Sequence, residues 1–454
     1  MTKYFLRLLR LIGKLMLAVT VAWLISSSTV DAYTSSRLMP REQTLRLGLK
    51  RAWYAQVQLD RARNLVERAV IAGDHLIVLT TSGVVQNFDA LTGATHWVAP
   101  FGNPLYPSLG PAVNDKFVAL VNGSTLYVLD LKDGRPTKIR RVGGAPGASP
   151  ALSNKYVFVP LTNGRVEGYP LDGKVRTPWF YQSYGRAMVA PLVTPTSLVW
   201  STDSGHVYGS DANEPGTRFR LETGSPIVAS PSFKKPFIYV GTVAGEVFAI
   251  DESTGVREWK FATGYPVTRS PAAIGDRVYV TSEKPSLTCL DAKNGQALWE
   301  AADITQFAAA SKQRVYAVDQ LGALVVLDAA TGAVLGAMPN DEKTTALVND
   351  QTDRIYLVSA DGMVQCFHEI GADQVTYHNP PEPPTPAEGA EKPRTRPSSA
   401  PASSDETQPT QPAEKPEAAD AKKPLEPAAD AADKSVEPAK PPAAGATEAN
   451  PFDF

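Results

Sequence analysis

A unit of about forty residues recurs eight times between Ala52 and Asn379, and that recurrence limits the possible folds more than any single residue does. Most copies hold a β-rich stretch, a Gly turn, a second apolar stretch and then an Asp. Two clear copies read GTVAGEVFAIDESTGVREW (Gly241 to Trp259) and TSEKPSLTCLDAKNGQALW (Thr281 to Trp299). The Asp slot falls at Asp89, Asp130, Pro170, Asp211, Asp251, Asp291, Asp328 and His368, in steps of 41, 40, 41, 40, 40, 37 and 40. A period of forty with room for four short strands per unit predicts an all-β, eight-bladed β-propeller of four-stranded blades. Propellers serve mostly as platforms, so binding is weighed before chemistry.

The residue pattern within a copy supplies the four strands. A small, Pro-led segment such as Ser230-Pro231 or Ser270-Pro271 suits the crowded axis. The second stretch is the most apolar, as in Phe117 to Val121 and Phe237 to Val240. A Gly turn follows it at Ser82-Gly83, Asn122-Gly123, Ala244-Gly245 and Leu321-Gly322, because tight hairpins need positive φ. Lys284-Pro285 departs from that rule in the sixth copy. The eighth copy ends at His368 without a fourth strand. Trp53 to Leu59, which alternates in strand period, is expected to supply it and close the ring, with Val375 to His378 as the competing segment.

Composition divides the rest. Residues 1–32 read as an export signal or membrane anchor: Lys3, Arg7, Arg10 and Lys14 precede the apolar run Leu15 to Ile25, and Val30-Asp31-Ala32 offers a cleavage site. Eleven helical residues span only about 16 Å, against roughly 30 Å of hydrocarbon, which favours the signal. No Cys follows the run to accept a lipid. Residues 33–52 form a helical or linker segment, and 53–379 the propeller. Residues 380–454 hold 17 of the 38 prolines and a net charge of −6, so this tail is expected to be disordered. Its last residues carry Phe452 and Phe454, a candidate docking peptide. An overall charge of −2 gives no reason to expect nucleic acid as a partner.

Chemistry is thin. The five His (His75, His96, His206, His368, His378) stand singly, without metal spacing. Cys289 and Cys366 occupy equivalent strands two copies apart, too far for a disulfide, and read as buried thiols. Ser and Asp at turns are explained by turn chemistry. The connections between copies recur as Gly-x-Pro-x-x-x-Ser-Pro, at Gly224 to Pro231 and Gly264 to Pro271. Tyr106, Tyr184, Arg186, Tyr265 and Arg269 on these loops are candidate protein-contact residues, since Tyr and Arg are favoured anchors.

The spacing Asp-x-x-x-Gly-x-x-x-Trp is complete at Asp89/Gly93/Trp97, Asp251/Gly255/Trp259 and Asp291/Gly295/Trp299. Asp accepts turn N–H bonds, Gly takes the left-handed position, and Trp docks on a neighbouring blade. Lys138, Phe219 and Gly336 fill the Trp slot in other copies. The pattern resembles the tryptophan-docking repeats of the PQQ-like eight-bladed propellers, which include quinoprotein alcohol dehydrogenases and the outer-membrane assembly factor BamB. The BamB resemblance implies a non-enzymatic periplasmic platform in cell-envelope or outer-membrane protein assembly. Its partners would be envelope or outer-membrane proteins, met through loops at one end of a monomeric propeller, with no cofactor. A ligand-sensing or carbohydrate-binding propeller is the alternative reading. A degenerate quinoprotein is the third. The quinoprotein resemblance would require adjacent cysteines and a Glu/Asn/Asp calcium site, and no two cysteines here are adjacent.

Overall fold

Gly turns and short apolar runs at a forty-residue period give eight antiparallel sheets of four strands each. The computed structural model describes residues 38–172, 178–340 and 343–378. Seven blades are continuous in sequence: residues 66–100, 108–141, 151–182, 192–222, 232–262, 272–302 and 304–338. In each, the first strand is innermost and the fourth outermost; short small-residue segments such as Ala151–Leu152 and Ala272–Ile274 line the axis in some blades, while Val66–Ala72 and Ile304–Ala310 place larger side chains there.

The eighth blade takes Thr344–Ala346, Ile355–Ser359 and Met363–Glu369 from the end of the ring and its outermost strand, Leu49–Gln56, from the beginning. That strand pairs antiparallel with Met363–Glu369, from Leu49↔Glu369 to Gln56↔Met363. It starts four residues before Trp53, because Gly48, at φ +71°, ends the short helix Arg41–Arg46 and turns the chain straight into the sheet. The competing segment makes only an isolated bridge, Thr352↔Tyr377. The expected signal segment, its cleavage site and the tail with Phe452 and Phe454 lie outside the described residues.

The tryptophan motif works between blades. The Trp97 indole N–H donates to the Leu131 carbonyl at 2.7 Å, Trp259 to Ala292 at 3.0 Å and Trp299 to Ala329 at 3.0 Å. Each acceptor follows the Asp slot of the next blade. Each ring also covers that blade's turn glycine: a Cβ on Gly134, Gly295 or Gly332 would lie 2.5 Å from Trp97, Trp259 or Trp299. The Gly and Trp of one motif copy therefore serve two different blade junctions. Trp53 plays the same part at the ring closure, donating to Ala90 at 3.0 Å and covering Gly93. Phe219 covers Gly255. The Lys138 ammonium donates to the Pro170 carbonyl where Trp is missing. At Gly336 the Leu47 side chain fills the vacant slot.

A register shift precedes the docking position in the outer strand, between Ala249 and Ile250 opposite Trp259 and between Cys289 and Leu290 opposite Trp299. The same shift recurs opposite Trp97 and beside Trp53. Such bulges re-aim a side chain, and here they turn the ring toward the neighbouring blade. Beneath it, the core is shared between blades: Leu287, Cys289 and Trp299 of the sixth pack with Val315, Val325 and Leu327 of the seventh.

Candidate protein-interaction face

One end of the propeller gathers the blade-to-blade loops and the hairpins between second and third strands. The loops clip those hairpins together. In the loop after the fifth blade, Val267 N–H donates to Thr242 of that blade's hairpin, while the Pro266 carbonyl accepts from Glu283 in the next. Ile227 and Pro226 repeat this with Thr202 and Val243. Ile227 and Val267 are buried, which explains the apolar residue after Pro in the loop motif. Side chains projecting from this end therefore stand on a rigid base.

Four of the five candidate contact residues stand on that rim. Tyr184 is 68% exposed; its N–H donates to the Tyr208 hydroxyl at 2.9 Å and its ring lies 5.2 Å from His206. Arg186 pairs with Asp203 at 2.7 Å, and its backbone N–H donates to the same carboxylate at 2.8 Å. Partial burial would raise the Asp203 carboxyl, but the bonds and charge of Arg186 outweigh it and hold it below its ordinary value. Tyr265 carries the Lys284 ammonium 5.0 Å from its ring centre. Tyr106 rests on Gly123, and its carbonyl accepts from Asn122 at 3.0 Å. Arg269 differs: it lines the axial channel and donates to Gln306 at 3.3 Å.

The same rim exposes apolar side chains that the sequence reading passed over. Leu105 is 86% exposed and Leu321 is 85% exposed, with Met188, Val228 and Val243 also exposed. Leu321 had a visible signal: hairpin tips elsewhere use Ser, Asn, Ala or Asp before the Gly. These side chains add apolar surface to the loop face, and others are exposed along the outer strands, among them Ile139, Leu298 and Leu335.

The protein-family model described as outer membrane protein assembly factor BamB matches residues 50–179 and 185–381. The chain belongs to the BamB family. Among solved structures, BamB from Moraxella catarrhalis is similar, at 18% identity and TM-score 0.58, over 70% of this chain and 99% of that one. The quinohemoprotein alcohol dehydrogenase from Comamonas testosteroni is similar at 12% identity and TM-score 0.53, over 74% and 78%. The C-terminal WD40 domain of Sif2 is similar at 10% and 0.52, over 70% and 98%. At these identities the structural likeness shows the propeller fold alone. No curated protein matches the chain in sequence.

Within this BamB-family propeller the two thiols and the Glu167 carboxylate serve the core. Cys289 and Cys366 are free and buried, and burial pushes both thiols up to about 12. The buried Glu167 carboxylate accepts from the Tyr169 hydroxyl and from Gly143 N–H. Among the described residues, no three His, Cys, Asp or Glu converge as a metal-holding group. One expectation is corrected: His75 and His96 do not stand singly. The first sheet brings their rings to 5.4 Å, with His96 3.9 Å from Asp89. Twenty-one residues of sequence separate them, and strand pairing with an outer-strand bulge removes that separation.

Proposed function

We propose that this protein is a non-catalytic interaction platform of the BamB kind, exported to the periplasm or cell envelope and working in outer-membrane protein assembly. The observation that carries the reading is the rigid loop face bearing exposed Leu105, Tyr106, Tyr184, Tyr265 and Leu321 on a propeller of this family. Its partners are envelope or outer-membrane proteins, and it acts as a monomer without a cofactor. Large aromatic side chains held by a clipped backbone lose little conformational entropy on binding, which suits them as anchors. The C-terminal Phe452 and Phe454 are a second, weaker candidate contact.

The test is crosslinking in intact cells from a photoreactive residue placed at Arg186 and, separately, at Tyr265, with adducts identified by mass spectrometry. The expected result is a dominant adduct with an outer-membrane barrel or its assembly machinery from both sites. No protein adduct from either site would sink the loop face as the interface.

A further inference from the structure

The axial channel holds a cavity of about 840 Å³ between the innermost strands of the first and eighth blades, reached also by residues of the sixth and seventh. Its wall is mixed, half aliphatic and half polar or charged, and three cationic side chains line it: Arg68, Arg269 and Lys343. All three belong to the loop-face end. Arg68 follows Val66, which pairs with Thr80 beside a loop-face hairpin. Arg269 and Lys343 lie in the connections that enter the sixth and eighth blades. Two carboxylates share the cavity, Glu67 and Asp350, and Asp350 lies past the far end of its strand, toward the opposite face. At the loop-face end the described lining sets the Arg68 and Arg269 guanidinium groups beside the Glu67 carboxylate.

The hydrogen bonds of the two arginines leave binding capacity there. Arg68 donates to the Ser149 hydroxyl at 3.4 Å, and Arg269 to the Gln306 side-chain carbonyl at 3.3 Å. Both acceptors are neutral, and both distances are at the long limit for such bonds. A guanidinium presents five donors in a planar fork that matches a carboxylate or phosphate bidentately. Two forks facing one concave cavity raise the local potential for an anion that enters. Burial raises the Glu67 carboxyl and the Arg68 charge partly restores it, so the acid tempers the cations without cancelling them.

We propose that the loop-face end of the axial channel binds a small polyanion bearing carboxylates or phosphates, anchored by Arg68 and Arg269 with Lys343 adding charge. The site is distinct from the rim of Tyr106, Tyr184, Arg186 and Tyr265, so it stands or falls apart from the platform reading.

The test is titration calorimetry of the full chain with citrate and with pyrophosphate. The expected result is a dissociation constant of millimolar or tighter for at least one probe. Citrate alone would identify a carboxylate ligand, and pyrophosphate alone a phosphate ligand. Arg68→Gln and Arg269→Gln should each weaken binding about tenfold or more, the usual effect of losing a charge-assisted hydrogen bond. Arg186→Gln, which removes a rim cation, should leave it unchanged. Both channel arginines are solvent-facing, and unaltered melting of the variants would show that folding is intact. Failure of both probes to bind, or equal weakening by Arg186→Gln, would overturn the proposal.

Discussion

Trp53→Ala should destabilise the propeller by about 4 kcal/mol, and Trp53→Phe by far less. Trp53 is 8% exposed and sits where the first strand of the chain closes the ring against blade one. A docked Trp buries on the order of 200 Å². At about 25 cal/mol per Å² this gives roughly 5 kcal/mol, reduced to about 3–4.5 by residual burial in the unfolded chain. The indole bond to Ala90 adds only about 1 kcal/mol. Its loss does not strand the carbonyl, since the Tyr356 hydroxyl also donates to Ala90 at 3.0 Å. Phe keeps most of the area over Gly93, so its cost should stay near 1–2 kcal/mol. The assay is equilibrium urea unfolding followed by circular dichroism and fluorescence together, whose coincidence licenses a single free energy. An alanine variant no less stable than the phenylalanine variant would refute ring closure through this contact.

Acid should weaken the fold by loosening its third-to-fourth strand turns. The Asp251 carboxyl is held below its ordinary value, first by the Ser253 hydroxyl and then by Thr254, and Asp328 is lowered first by Thr331. A depressed folded-state value adds stability above the unfolded carboxylate range near pH 4 and loses it as pH falls through the folded value. Melting temperature should therefore drop below about pH 4, and Asp251→Asn should show a shallower decline; equal slopes would disprove the assignment. Cys289 and Cys366, with thiols raised to about 12, should not react with a thiol reagent in the native protein and should both react in urea; native labelling of either would contradict the burial.

The fold was legible because its determinants are local and repeated. Gly at most hairpins and Asp at most outer turns recur near one period, so departures in one copy, such as Lys284-Pro285 or Pro170, are corrected by the others. Ring closure was legible for a related reason: the eighth copy lacks an outer strand, and a strand-period segment lies unused at the other end. The partner of each Trp was not visible. Asp291, Gly295 and Trp299 look like one motif in sequence, yet Trp299 covers Gly332 and Gly295 lies under Trp259. Spacing reports neighbours in the chain, and the bulge that turns the ring across the junction has no residue signature of its own. The contact face divides in the same way. Tyr184 and Arg269 occupy equivalent kinds of loop, but only the structure separates a side chain on the rim from one that enters the axis.

That separation bears on how the loop face could work. The loops join each blade's hairpin to the next, so the positions of Tyr184, Tyr265 and their neighbours follow from blade packing rather than from loop conformation. A rim fixed in this way recognises a partner by shape with little ordering cost. The channel arginines follow a different logic, because Arg68 and Arg269 are exposed and their hydrogen bonds among the described residues are long and go to neutral groups. They can reorient toward an anion without disturbing the clips. Rim and channel share one end of the propeller, yet a substitution in either should leave the other's geometry unchanged. Arg186→Gln and Arg269→Gln should therefore give additive effects on stability, as expected of sites without shared partners.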